Sequence, residues 1–292
     1  MADFNLTNIR ELTKEARKDF NTAFKQKADE TYKQIATVIN TKSHTVDYAW
    51  LGDVPAMKEW ITNRQLATLK DYIYTIAKKD FESSISVMRD DFIFDNLGIV
   101  KPKINQLAGT VVKHYNSLVM SLITTNAQCF DGKKFFDTHV VKVKGTNKNF
   151  TNKSTKKLTE DEVFKAIEFM TTITDENGEP LGANPTSLIV APNLLKTAKT
   201  ILGAKQIEGT DNIAHNLLEL KVSAQMPANS WCVLDTSQEL KPFILQITKK
   251  AKLEEDTSEM FKAKKVNYGV DAMHNAGYGF WQMAYFSDGS AA

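Results

Sequence analysis

Ile104-Asn-Gln-Leu107-Ala108-Gly-Thr-Val111-Val112-Lys-His-Tyr115-Asn-Ser-Leu118-Val119-Met-Ser-Leu122 is the stretch around which the rest of this chain is read. Its apolar residues recur at i, i+3 and i+4 over its whole length, which is the period of an amphipathic α-helix. Pro102 stands just before it, so a long helix is placed at about 102–125.

Upstream, the period changes. Tyr72, Tyr74 and Ile76 alternate with polar neighbours, Lys78-Lys79-Asp80 interrupts, and Phe81, Ser83, Ile85 and Val87 alternate again. Alternation is a strand signal, so Tyr72–Val87 is predicted to be a β-hairpin turning at Lys78-Lys79-Asp80. Phe81 and Ile85 would share a face needing an apolar partner that an isolated hairpin lacks. Further upstream, Ile9, Leu12, Ala16, Phe20, Phe24, Ala28, Tyr32, Ile35 and Ile39 recur at helical intervals from Asn8 to about Asn40. Asn8 with Glu11 resembles a capping box, and an amphipathic N-terminal arm is expected whose stripe, Phe20 and Phe24 included, packs mainly on a neighbouring copy.

Downstream, residues 133–157 hold eight lysines (133, 134, 142, 144, 148, 153, 156 and 157) against one acid, Asp137. Such a segment reads as a solvated loop. Thr159 and Glu162 form a capping box ahead of Val163, Ala166, Ile167 and Met170. Leu188-Ile189-Val190, then Pro192 and a periodic run to Gly203, reads as a buried strand feeding a helix. Further β-like runs lie at Trp231–Leu234, Phe243–Ile247 and Tyr278–Phe286. Helices and strands intermix without a regular βαβ repeat, so the fold class is α+β.

With 292 residues, 42% of them hydrophobic and 25% charged, the chain can bury one large core or two smaller ones, which excludes wholesale disorder. Lys+Arg 37 against Asp+Glu 35 gives a net charge of +2, too little for a dedicated nucleic-acid binder. No apolar run is long enough to cross a bilayer and the start lacks a signal-peptide pattern, so a soluble protein is expected. Cys129 and Cys232 are too few for a disulfide framework, and a reducing cytoplasm during synthesis is expected.

Motifs for chemistry are sparse. Phosphate-binding loops, the Gly-x-Ser-x-Gly elbow and His-Glu-x-x-His are absent. Asp90, Asp91 and Asp95 can in principle hold Mg²⁺ or Ca²⁺, but they lack EF-hand spacing and read better as acids at the start of the long helix. Cys129 and His139 can in principle form a nucleophile pair, although nothing nearby resembles an oxyanion loop. His44, His114, His215 and His274 are scattered without ligand spacing and read as surface or satisfied residues. Neither a cofactor nor a metal is expected, and weight moves to proteins that fit against copies of themselves.

Several blocks together carry a resemblance: Tyr48-Ala-Trp50-Leu51-Gly52 with Pro55, Glu59-Trp60 and Arg64; Phe81-Glu82, Arg89-Asp90-Asp91 and Asp95-Asn96-Leu97-Gly98; Cys129-Phe-Asp131-Gly132 with Phe135-Phe136-Asp137; Trp231 to Asp235; Lys241-Pro242; and Gly277-Tyr278-Gly279-Phe280-Trp281-Gln282-Met283-Ala284. In this order they resemble the major head subunits of Mu-like phages and prophages. The segments 140–157 and 175–215 match none of these blocks.

The resemblance implies an HK97-type capsid fold: an arm at 1–47, an extended segment and E-loop hairpin at 48–95, a peripheral domain with its spine helix and the lysine-rich loop at 96–187, an axial domain at 188–240, and a return to the peripheral domain at 241–292. It implies a non-enzymatic shell protein forming hexameric and pentameric capsomers around double-stranded DNA without sequence-specific binding or a membrane. Portal, scaffold and head protease would be partners; the site of action would be the virion, and the bacterial cytoplasm during assembly. Phe20, Phe24, Lys78, Lys79, Phe81 and Ile85 would make assembly contacts in arm and E-loop. The alternatives are an encapsulin-like nanocompartment shell and an intracellular hydrolase using Cys129 with His139.

Overall fold

The computed structural model describes residues 6–26, 30–48, 73–88, 90, 97–175, 177–207 and 209–291. In chain order the first elements are α1 (Leu6–Gln26), α2 (Thr31–Ile35), β1 (Ala36–Asn40), β2 (Thr45–Tyr48), β3 (Tyr74–Ala77), β4 (Lys79–Met88) and α3 (Leu97–Thr125). Then come β5 (Thr138–Val143), β6 (Thr146–Thr151), β7 (Lys153–Ser154), α4 (Glu160–Thr172), β8 (Ser187–Val190), α5 (Leu195–Gly203), β9 (Gln206–Ile207), β10 (Thr210–Asp211), β11 (Glu219–Val222) and β12 (Trp231–Leu234). The chain closes with β13 (Phe243–Asp256), α6 (Met260–Ala263), β14 (Lys265–Tyr278) and β15 (Ala284–Ser287).

The long helix ends where its periodicity places it but begins at Leu97, five residues earlier than expected and with Pro102 inside it, and its apolar stripe organises the larger core. Ile104, Leu107, Ala108, Val112, Tyr115, Val119 and Ile123 are buried with Phe243, Leu245, Val266, Tyr268 and Val270 of β13 and β14. These strands belong to a four-stranded sheet of order β1-β13-β14-β4. The helix ends at Asn126, whose φ of 44° is the left-handed stop that Asn tolerates. There the Tyr278 hydroxyl donates to the Leu122 carbonyl at 2.9 Å and accepts from the Ala127 amide at 2.7 Å, tying the helix end to β14.

The arm packs differently from the sequence expectation. Ala16 and Phe20 of α1 are buried in the same core as α3, with Ala23 and Phe24 partly buried against it. The stripe is therefore covered by the subunit's own helix; Ile9 and Leu12 lie where side chains are not described. Asn8 lies inside α1, past its first residue Leu6, and not at the helix start where a capping box places it. The helical period also runs past its true end: Ala36–Asn40 is a strand, paired in parallel with Phe243–Ile247. Thr37, Val38 and Ile39 are β-branched and suit a pleated sheet, which overrides a spacing both periods share.

The predicted hairpin is corrected too. β3 and β4 are both present, but only Lys78 separates them, and one residue cannot close a two-residue hairpin turn. β3 pairs antiparallel with β2, from Thr45↔Ala77 to Tyr48↔Tyr74, whereas β4 pairs with β14. Alternation reveals that a segment is a strand but not which strand it joins. The β2–β3 pair lies on the far side of the sheet from α3, with Tyr48 and Ile76 buried against Ile244. Gly277 makes this approach possible, since a Cβ there would meet Ile76 Cδ1 at 2.6 Å.

The lysine-rich stretch is largely a hairpin instead of a loop. β5 and β6 pair from Thr138↔Thr151 to Val143↔Thr146. Lys144 and Gly145 turn between them with φ of 47° and 86°, the positive angles of a two-residue hairpin turn. All eight lysines are exposed, and His139, Phe150 and Asn152 supply the buried side.

A five-stranded sheet, β11-β8-β12-β15-β7, forms a wall between two cores. Ile189, Cys232, Leu234 and Phe286 face the α3 core; Leu188, Val190, Trp231 and Val233 face a second core with Val163, Ala166 and Met170 of α4 and Ala198, Ile201 and Leu202 of α5. Thr159 accepts from the Glu162 amide and caps α4, as the capping box suggests. The second core draws on more of the chain than 188–240, because α4 and, through Tyr285, β15 are built into it.

Phe20 fills the α1–α3 contact, so Phe20→Ala is expected to lower the free energy of unfolding of the unassembled subunit by about 3–5 kcal/mol, the usual cost of emptying a buried aromatic site. Lys18→Ala on the exposed face of the same helix is the control, expected within about 0.5 kcal/mol of wild type in urea titrations.

Candidate assembly surfaces

Of the six expected assembly residues, five are engaged inside the subunit. Phe20 is 1% exposed and stacks on Phe24 at 6.2 Å. Phe81 lies tilted against His114 at 4.3 Å and stacks on His274 at 4.4 Å, and Ile85 packs against the α3 core. Lys78 forms an ion pair with Asp80 at 2.7 Å, and its amide donates to the His44 carbonyl. Lys79 alone of the six is an exposed side chain. Phe81 and Ile85 thus find their apolar partner in their own sheet and helix.

What the fold does leave open lies at strand edges and around the second core. β4 and β11 are edge strands of their sheets, and among the described residues no strand pairs with their outer sides. Ile213, 77% exposed, and Leu217 precede β11, and Val222 ends it, each an exposed apolar side chain. Met88 is exposed at the end of β4. An unpaired edge with apolar neighbours is a template for another chain.

Cys129, Asp131 and His139 do come together, with candidate ligand atoms within 4.8 Å of one another. The Cys129 thiol donates to Asp131 Oδ1 at 3.1 Å, and His139 Nδ1 bonds Oδ2 at 2.5 Å. The second ring nitrogen, Nε2, faces the Phe135 carbonyl at 3.2 Å. Both ring nitrogens face other oxygens, and the Cys129 thiol is directed at Asp131 and not at His139. Burial and the adjacent Asp131 carboxylate push the thiol well above its ordinary pKa, the reverse of what a nucleophile needs. The donor set resembles that of a zinc site, but two ligands of one tetrahedral ion sit about 3.3 Å apart for bonds of about 2.0 Å. The His139–Asp131 contact is instead a hydrogen bond, and His139 stacks on Trp281 with centroids 4.0 Å apart. The trio is a buried strut, which corrects the hydrolase reading. Asp90 is exposed; Asp91 and Asp95 lie outside the described residues.

Two features escaped the sequence reading. Asn152, fully buried, donates to the Phe135 carbonyl at 2.9 Å and accepts from the Asp137 amide at 2.9 Å, binding the β5–β6 hairpin to the Phe135-Phe136-Asp137 turn. His114 and His274, 160 residues apart in numbering, come within 5.1 Å of each other between α3 and β14. No local signal marks either feature, because each depends on which strands meet.

With this geometry established, comparison with known proteins is decisive. The family model for the Mu-like prophage major head subunit gpT matches residues 9–156, 149–226 and 221–291. The chain belongs to this family. The match runs through 140–157 and 175–215, which the quoted sequence blocks leave unplaced. This head subunit is 30% identical over 265 residues to the Mu-like prophage FluMu major head subunit of Haemophilus influenzae, covering 89% of this chain and 66% of the relative's length. It is 26% identical over 285 residues to the major capsid protein of Escherichia phage Mu, covering 95% of this chain and 72% of that one. Its fold resembles a chain from the procapsid of bacteriophage JBD30 with a TM-score of 0.63 at 27% identity, covering 97% of this chain and 76% of that one. The fold is the HK97 type.

The strut makes a pH prediction for the head subunit. Burial alone would raise the Asp131 carboxyl; hydrogen bonds from His139, Cys129 and the Lys133 amide outweigh it and hold the group below its ordinary value. A depressed carboxylate contributes stability above the unfolded pKa, near 4, which is lost as pH falls through the folded pKa. Asp131→Asn is therefore expected to melt below wild type at pH 7, with the gap closing below about pH 4. A gap that stays constant down to pH 2.5 in thermal melts would contradict this assignment.

Proposed function

We propose that this head subunit is a major capsid protein, which self-assembles as hexameric and pentameric capsomers into an icosahedral shell enclosing double-stranded DNA. The observation that carries this reading is the family match along almost the whole chain, joined to the HK97-type fold. The subunit acts by shape and contact and not as an enzyme; the Cys129–Asp131–His139 strut supports that, because its thiol is held protonated and its imidazole is occupied. No described helix is long and apolar enough to cross a membrane.

Each part of such a shell subunit has a candidate here. The spine helix is α3. The axial part is the second core with β11 and the exposed Ile213, Leu217 and Val222. The antiparallel pair β2–β3 is the candidate root of the E-loop in place of a turn at Lys78-Lys79-Asp80; residues 49–72 of the segment expected to carry it lie outside the described residues. Portal, scaffold and head protease are the partners this role requires, with assembly in the bacterial cytoplasm and residence in the virion.

Negative-stain electron microscopy of the purified subunit, alone and with its scaffold, tests the proposal; shells, tubes or capsomer rings are expected. Ile213→Asp combined with Val222→Asp should abolish closed particles while changing monomer stability by no more than about 1 kcal/mol, since both sites are exposed. A strictly monomeric wild type at high concentration with scaffold present would refute the proposal.

A further inference from the structure

His274 is 1% exposed on β14, and neither of its ring nitrogens has a hydrogen-bond partner among the described residues. His114, on the middle of α3, has a buried Nε2 that is equally unpartnered. Their rings meet edge to face at 5.1 Å, with Phe81 of β4 stacked on His274 and tilted against His114, and Tyr115 edge-on to His274 at 4.7 Å. Two imidazoles are thus held in an aromatic cage at the contact on which the α3 core is built. Buried polar groups are ordinarily satisfied, so two unsatisfied neighbours at one contact call for a physical explanation.

The surroundings favour the uncharged rings. Lys79 lies directly across the β4–β14 pair from His274, on the same face of the sheet. On that face β14 continues with Ala272, Val270, Tyr268 and Val266, and β4 with Phe81, Ser83, Ile85 and Val87. The carboxylates of these strands, Asp80, Glu82 and Asp271, occupy the alternate positions and point to the opposite face. From α3 comes Tyr115, and from α2 Tyr32, edge-on to Tyr115 at 5.3 Å. β13 presents Ile247 opposite His274, and its pairing slips between Ile247 and Lys249 and again between Lys249 and Lys252. The histidine pair therefore sits beside the point where the long β13–β14 ribbon is irregular and able to bend.

We propose that His114 and His274 form a proton-operated latch, which seats α3 on the β4–β14 face while both rings are neutral and releases it when they take up protons in mildly acidic solution. Protonation would place two like charges side by side in an apolar cage, with Lys79 across the strand pair and, among the described residues, no carboxylate bonded to either ring. Burial, with His114 adding to it, lowers His274 to about 4, and burial lowers His114. A histidine whose seated-state pKa lies below its free value of about 6.5 contributes full stability above that value and loses it as pH falls. For His274 alone the balance shifts toward release tenfold per pH unit, about 30-fold at pH 5. The latch is a property of the subunit itself and holds independently of the shell proposal.

Hydrogen exchange of the full-length, unassembled subunit at pH 7.5 and pH 5.0, corrected for intrinsic rates, tests the latch. Exchange in 104–122 and 265–278 should rise about 30-fold at the lower pH, while 160–172 and 187–190 in the second core stay within about threefold. His274→Leu, which cannot be protonated, should remove most of that rise. An equal rise across both cores, or the same local rise in His274→Leu, would overturn the latch. Should that variant fail to fold, the wild-type His274 ring resonance decides the matter by NMR titration. An apparent pKa below about 5 supports the latch, and one near 6.5 overturns it.

Discussion

Everything else in this subunit depends on seating one long helix against one sheet. α3 carries apolar side chains around much of its surface, so a single partner layer cannot cover it. The sheet face made by β13, β14 and β4 covers one side, while α1 and α2 cover another through Ala16, Phe20, Tyr32 and Ile35. At roughly 1.5–3 kcal/mol for each fully buried large side chain, this contact is the dominant favourable interaction of the larger core. Polar ties then fix its register: Asn116 accepts from the Tyr32 amide at 2.8 Å, and Tyr278 clasps the helix end.

The second constraint is a shared wall. The five-stranded sheet is apolar on both faces, which is why Ser187–Val190 and Trp231–Leu234 are buried at every position and show no alternation. One face belongs to the α3 core and the other to α4 and α5, so the two cores share one set of strands. Asn152 and the Cys129–Asp131–His139 strut join the β5–β6 hairpin to the turn at Phe135 and to Trp281.

How far the sequence carries follows from what each signal encodes. Periodicity over Ile104–Leu122 reports a local property, and the helix is there; Thr159–Glu162 and Pro192–Gly203 are equally local and equally legible. Tyr74–Ala77 and Lys79–Met88 read correctly as strands, but the partner of each lies far along the chain, at Thr45–Tyr48 and Lys265–His274. No local pattern encodes such pairing. The N-terminal stripe misleads for a related reason, since a helix with one apolar face must be covered, yet the sequence does not say by which copy. The lysines of 133–157 mask a hairpin because solvated charge and strand structure are compatible when the buried side is supplied by His139 and Phe150. His114 and His274 are invisible as a pair until β14 is laid against α3.

The central claim is that the arm belongs to the subunit's own core, with α1 seated on α3 of the same chain before any shell exists. Native-state hydrogen exchange of the subunit at high dilution, where capsomers are absent, tests it most directly. Amides of residues 16–24 are expected to exchange with protection close to that of 107–120, both opening in one cooperative unit. Exchange of residues 16–24 at unfolded rates in the monomer, with protection arising only on assembly, would contradict the account and return the arm to a neighbouring subunit.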